Sequence, residues 1–121
     1  MIDPIQILIV DDQPRARQSL KALLATWPMV GDMREAANGV EALEAIERWQ
    51  PDLVLMDVRM PIMDGVEATR RIKARWPQIK IIALSMYGDI AAEALLAGAD
   101  AFVCKGVSPE KLLAAVAATA R

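Results

Sequence analysis

Asp11, Asp12, Asp57, Ser85 and Lys105 each stand where a short apolar run stops, and as a set they can do phosphate chemistry. The runs are residues 5–10 before Asp11, 53–56 before Asp57, 79–84 before Ser85 and 101–104 before Lys105. Parallel strands buried on both faces read as continuous apolar runs, and ligands of such sheets collect beyond the carboxyl ends of the strands. Four strand tips would therefore bring three carboxylates, one hydroxyl and one ammonium to one pocket. Three carboxylates at close range repel, and the remedies are protonation or a bound cation, of which a divalent metal is the simplest. Asp57 stands alone on its tip; an aspartate of ordinary pKa is ionised at neutral pH and attacks phosphorus once the phosphoryl charge is screened. The Asp11 and Asp12 pair suits Mg2+, which prefers oxygen ligands and is often shared between carboxylates and phosphate. Lys105 as a point charge and the Ser85 hydroxyl as a donor would stabilise the phosphoryl oxygens during transfer. The product of that chemistry is an aspartyl phosphate.

The elements that must position these groups alternate between strand-like runs and helical patterns, which predicts an α/β domain with a parallel sheet. Asp12-Gln13-Pro14 reads as a helix entrance, and Ala16, Leu20, Leu23, Leu24 and Trp27 recur at helical spacing until Pro28. The weakest strand falls near 32–36, placed mainly by the rhythm of its neighbours. Asn38-Gly39 opens a second helix through Val40, Leu43 and Ile46, ended before Pro51. Asp64-Gly65 starts a third, with Val66, Ile72 and Trp76 inward, and a fourth runs from about 89 to 97 and stops at Gly98 in a left-handed cap. Ser108-Pro109 begins the last, with Leu112, Leu113 and Val116 on its buried side. Cys104, inside an apolar run, reads as a buried structural thiol.

With 121 residues the chain has the length of one domain. A net charge of −2 gives no footprint for direct nucleic-acid contact or for an anionic membrane surface. The longest apolar stretches fall short of the roughly 20 residues of a membrane helix, and residues 1–4 lack the design of a secretory signal. A single cysteine fits a reducing compartment, so the expected location is the cytoplasm. The absence of histidine removes Ser-His triads and imidazole metal sites, leaving carboxylates, Ser85 and Lys105 to do any chemistry.

The Asp11-Asp12 pair, the stretch from Asp57 through Pro61 to Asp64-Gly65, the isolated Ser85 and the run from Gly98 to Lys105 together resemble the receiver domain of two-component response regulators. The resemblance covers residues 1–121. It implies a flavodoxin-like (βα)5 fold with sheet order 2-1-3-4-5, a phosphoacceptor at Asp57 served by a sensor histidine kinase, and a requirement for Mg2+. By matching position, Asp12, Asp57 and the backbone carbonyl of Arg59 are direct metal ligands, and Asp11 acts through metal-bound water. It also implies a switch in which Ser85 moves toward the phosphoryl group and Phe102 turns into the vacated space, remodelling the surface of the fourth helix, fifth strand and fifth helix. Phe102 lacks the hydroxyl of the tyrosine common at this position, which implies looser coupling. Gly106 follows Lys105 where many relatives have proline, so no cis bond is expected there. Arg59 and Tyr87 occupy the positions that govern water access, and their bulk would slow loss of the phosphoryl group.

Ser108 to Lys111 and the tail most resemble the subfamily whose receivers precede a LuxR-type helix-turn-helix domain, implying a piece of a longer regulator with a C-terminal DNA-binding output. A stand-alone receiver or a phosphorelay shuttle is the alternative. Exposed alanine and leucine in the last two helices would offer a homodimer face. A small aspartyl-phosphate phosphohydrolase is a competing class, but it needs an acid-base residue two positions after the nucleophile, where this chain has Arg59. A degenerate, unphosphorylated binding module is opposed by the presence of all five site residues. Taken singly, each has a plainer reading, as a helix cap, a turn residue or a solvated charge, and only their joint placement speaks for chemistry. Asp64 and Asp100 read as cap and turn residues, and Arg70, Arg71, Lys73 and Arg75 as the solvated face of the third helix.

Overall fold

A computed structural model describes residues 3–120. Five strands, β1 (Ile5–Val10), β2 (Val30–Ala36), β3 (Leu53–Asp57), β4 (Lys80–Ser85) and β5 (Ala101–Cys104), form one parallel sheet of order β2-β1-β3-β4-β5. Five α-helices alternate with them: α1 (Pro14–Ala25), α2 (Gly39–Arg48), α3 (Gly65–Arg75), α4 (Ala91–Leu96) and α5 (Pro109–Thr119). This is the flavodoxin-like arrangement expected from the sequence.

Successive side chains of a strand point to opposite faces, so the apolar runs divide between two cores. Leu8, Val10, Val54, Met56, Ile81 and Ala83 pack with Ile46, Ala68 and Ile72 on the face covered by α2, α3 and α4. Ile7, Ile9, Leu53, Leu55, Ile82 and Leu84 pack with Leu24, Leu112 and Val116 on the face covered by α1 and α5. Burial on both faces is why β1, β3 and β4 read as unbroken apolar stretches.

Five local expectations are revised. The second strand begins at Val30 rather than Asp32; it is a sheet edge paired only to β1, so Asp32, Arg34 and Glu35 can face water and blur its pattern. The fourth helix is split into a 3-10 turn (Gly88–Ile90) and the short α4, and Gly98 closes it at φ +114. Cys104 is exposed, because it is the last residue of the short β5 at the other edge of the sheet, where packing on neighbours has run out. Lys73 is not a solvated charge: its ammonium donates to the carbonyls of Pro77 (3.1 Å) and Ile79 (2.9 Å) and to Asp100 Oδ2 (3.1 Å). Asp100 Oδ2 also accepts from the Ile81 amide at 2.8 Å, so this pair ties the end of α3 to β4 and to the entrance of β5. Val40, expected inward on α2, is exposed at the first turn. The Lys105–Gly106 bond is trans, and Gly106 sits at φ +90.

Candidate functional site

The sheet order changes direction between β1 and β3, the place where strands lead outward to opposite sides and leave a crevice at their carboxyl ends. Register sets the tips side by side. Val10 pairs with Met56, which places Asp11 next to Asp57; Asp57 pairs with Leu84, one residue before Ser85; Ser85 pairs with Cys104, one residue before Lys105. Asp12, Asp57, Arg59, Ser85, Tyr87 and Lys105 line one cavity of about 230 Å³. The structure therefore gathers every expected site residue except Phe102, which lies half-buried against the α2–α4 core. Asp11 is held just beneath, 1% exposed.

Carboxylate oxygens of Asp11, Asp12 and Asp57 lie within 4.8 Å of one another. Lys105 Nζ donates to Asp11 Oδ2 at 3.0 Å and stands 3.2 Å from Asp57 Oδ1. One ammonium thus bridges two of the three carboxylates. Burial first, and then the charge of Asp11, push the Asp57 carboxyl above its ordinary value of 3.8, with Lys105 opposing them. Burial disfavours the Lys105 ammonium, but its hydrogen bond to Asp11 and the charges of both carboxylates outweigh this and raise its pKa. An all-oxygen donor set with surplus negative charge fits a hard divalent cation such as Mg2+.

Ser85 is buried, and its hydroxyl accepts from the Tyr87 amide at 3.1 Å. The Arg59 guanidinium lies over the Tyr87 ring, 4.8 Å from its centre, so two exposed side chains stack at the rim of the cavity. Two supporting features escaped the sequence reading. Gly65 donates its amide to the Val58 carbonyl at 2.8 Å, and a Cβ there would lie 2.1 Å from the Asp57 carbonyl oxygen. Only glycine lets α3 begin this close to the exit of β3. Arg17, one turn into α1, donates to the Asp11 carbonyl at 2.6 Å and to Glu35 at 2.9 Å. Its one sequence signal is weak: Arg17 and Lys21 form an i, i+4 basic pair on α1, with no indication that Glu35 faces them.

Residues 7–117 match the family model of the response regulator receiver domain. The chain belongs to the response-regulator receiver family. The receiver is 40% identical over 114 residues to the transcriptional regulatory protein LnrK of Bacillus subtilis, covering 93% of this chain and 52% of that protein. It is 41% identical over 111 residues to a protein-glutamate methylesterase/protein-glutamine glutaminase of Myxococcus xanthus, covering 89% of this chain and 31% of that protein. Among solved structures, a LuxR-family two-component response regulator from Aurantimonas superposes with a TM-score of 0.92 at 32% identity, covering 98% of this receiver and 86% of that chain. The receiver spans about half the length of the first curated relatives it matches. Among the described residues no helix is long and apolar enough to cross a membrane.

Proposed function

We propose that this receiver accepts a phosphoryl group on Asp57 from a phosphohistidine of a sensor kinase and passes the event on as a change of surface. The observation that carries this is the Lys105 bridge between Asp11 and Asp57 inside a cluster of three carboxylates. An Asp57 carboxylate oxygen attacks phosphorus, the oxygen–phosphorus bond forms, and the phosphorus–nitrogen bond breaks with its electron pair leaving on the imidazole. Asp12, Asp57 and the Arg59 backbone carbonyl would hold Mg2+ directly, and Asp11 through its water; when bound, the ion neutralises phosphoryl charge. Lys105 screens the opposite side of the transferring group, and Ser85 donates to one of its oxygens. In the proposed switch Ser85 moves toward that oxygen and Phe102 turns into the space it leaves.

The output is a conformation rather than a released product, which sets the domain apart from a phosphohydrolase. With Mg2+ and a small phosphodonor, the receiver should accumulate about one phosphate per chain; many turnovers of released phosphate per chain would assign it to the hydrolases. The Arg59–Tyr87 stack covers the approach of water to the phosphoryl group. Replacing both by alanine should shorten the aspartyl-phosphate lifetime several-fold; an unchanged lifetime would remove the stack from the account. The partners we propose are a histidine kinase and, by similarity to LnrK and the Aurantimonas regulator, a DNA-binding output domain in a cytoplasmic regulator. The exposed Leu95 and Leu96 on α4 support a homodimer face, read by sedimentation with and without a phosphate analogue; a monomer in both states would dismiss it.

A further inference from the structure

The acidic pair at the end of β1 owes its shape to a residue outside the cavity. Both peptide groups of Asp11 are anchored: its amide donates to the Ala36 carbonyl at 3.1 Å, and its own carbonyl accepts from Arg17 Nη1 at 2.6 Å. The anchored carbonyl belongs to the peptide that joins Asp11 to Asp12. Rotation of that peptide plane changes the direction in which the Asp12 side chain leaves the backbone, so the guanidinium holds Asp12 toward the cavity without touching it.

Arg17 is itself held. Its Nε donates to Glu35 Oε1 at 2.9 Å, and Lys21 Nζ donates to Glu35 Oε2 at 3.2 Å, which fixes the plane of the guanidinium between α1 and the end of β2. Only 17% of the Arg17 side chain is exposed. A planar fork can serve two acceptors in different directions at once, and a single ammonium at the end of a flexible stem does this poorly.

We propose that Arg17 is a positioning residue for the divalent-cation site: through the Asp11 carbonyl it sets the direction of the Asp12 carboxylate. The inference rests on the reading of the acidic cluster as a Mg2+ site. Its consequence has a sign that separates it from plain electrostatics. A cation this close to the acidic cluster opposes binding of another cation, so by charge alone its removal would tighten Mg2+. Loss of positioning loosens it, and partners that orient metal ligands typically contribute on the order of 10-fold or more to affinity.

The test is calorimetric titration with MgCl2 at low salt of the native chain, Asp12→Asn, Arg17→Gln and Arg17→Lys, each first shown to melt cooperatively. The native chain should bind and Asp12→Asn should not; failure of the native chain to bind would overturn the cation site itself. With native binding in place, Arg17→Gln should bind about 10-fold more weakly. Arg17→Lys, which keeps the charge and is the gentler change for folding, should be weakened in the same direction. Tighter or equal binding by Arg17→Gln, or unchanged binding by Arg17→Lys, would overturn the positioning role. A lowered melting temperature with undiminished Mg2+ affinity would also overturn it, leaving Arg17 a structural staple.

Discussion

The Asp57 carboxylate destabilises the fold when ionised, and this follows from its surroundings. Asp57 is 5% exposed, beside Asp11, with only a share of the Lys105 ammonium. Because its pKa in the folded chain lies above 3.8, the folded state holds this proton more tightly than the unfolded state does. The contribution of Asp57 to stability is therefore most favourable below pH 3.8 and declines as pH rises through the interval up to its raised folded value. At pH 7 without divalent ions, Asp57→Asn should denature at a higher urea concentration than the native chain, and the gap should close as the pH falls below the ordinary aspartate range. A variant less stable than the native chain at pH 7 would show that Lys105 more than compensates the buried charge. Added Mg2+ should narrow the gap from the other side by stabilising the native chain.

At the scale of elements, strand ends and helix starts do the positioning. Asp64 caps α3 by accepting from the Glu67 amide at 2.9 Å, and Asn38 caps α2 in the same way from Glu41 at 3.0 Å. Gly65 permits the first turn of α3 to rest on the exit of β3. Gly65→Ala should destabilise the chain by about 2 kcal/mol or more, because the obstructing atoms are backbone and cannot move aside cheaply. It should also lower the rate of phosphorylation in the fraction that remains folded, since the displaced backbone carries Asp57, the proposed acceptor. Denaturant unfolding and phosphodonor kinetics read both effects, and a fully stable variant with native kinetics would remove Gly65 from the support of Asp57.

For the whole molecule, one sheet turns residues spread from Asp11 to Lys105 into a single cavity. That assembly was legible because β1, β3 and β4 are buried on both faces, so each announces itself as an apolar run and its first polar residue marks the tip. The edges were less legible. The charges of β2 lie at a sheet edge, Asp32 and Arg34 exposed and Glu35 paired to Arg17 and Lys21, and Cys104 sits at the end of a strand too short to bury it. Lys73 and Arg17 carry little sequence signal for another reason: their partners Asp100 and Glu35 lie 27 and 18 residues away, and nothing local distinguishes a basic residue that reaches a distant carboxylate from one that stays in solvent. Gly65 reads as a helix start, but the backbone it must clear exists only once the chain has folded.

The proposed chemistry makes Asp57 the carrier of a transferable phosphoryl group. The most direct measurement is reductive trapping. The chain is treated with Mg2+ and a small phosphodonor, reduced with borohydride, which converts an aspartyl phosphate to homoserine, and mapped by peptide mass spectrometry. The expected result is homoserine at position 57 and nowhere else, absent without donor and absent in Asp57→Asn. Homoserine at another aspartate, or none in the native chain under conditions where Mg2+ binds, would rule out Asp57 as the phosphoryl carrier.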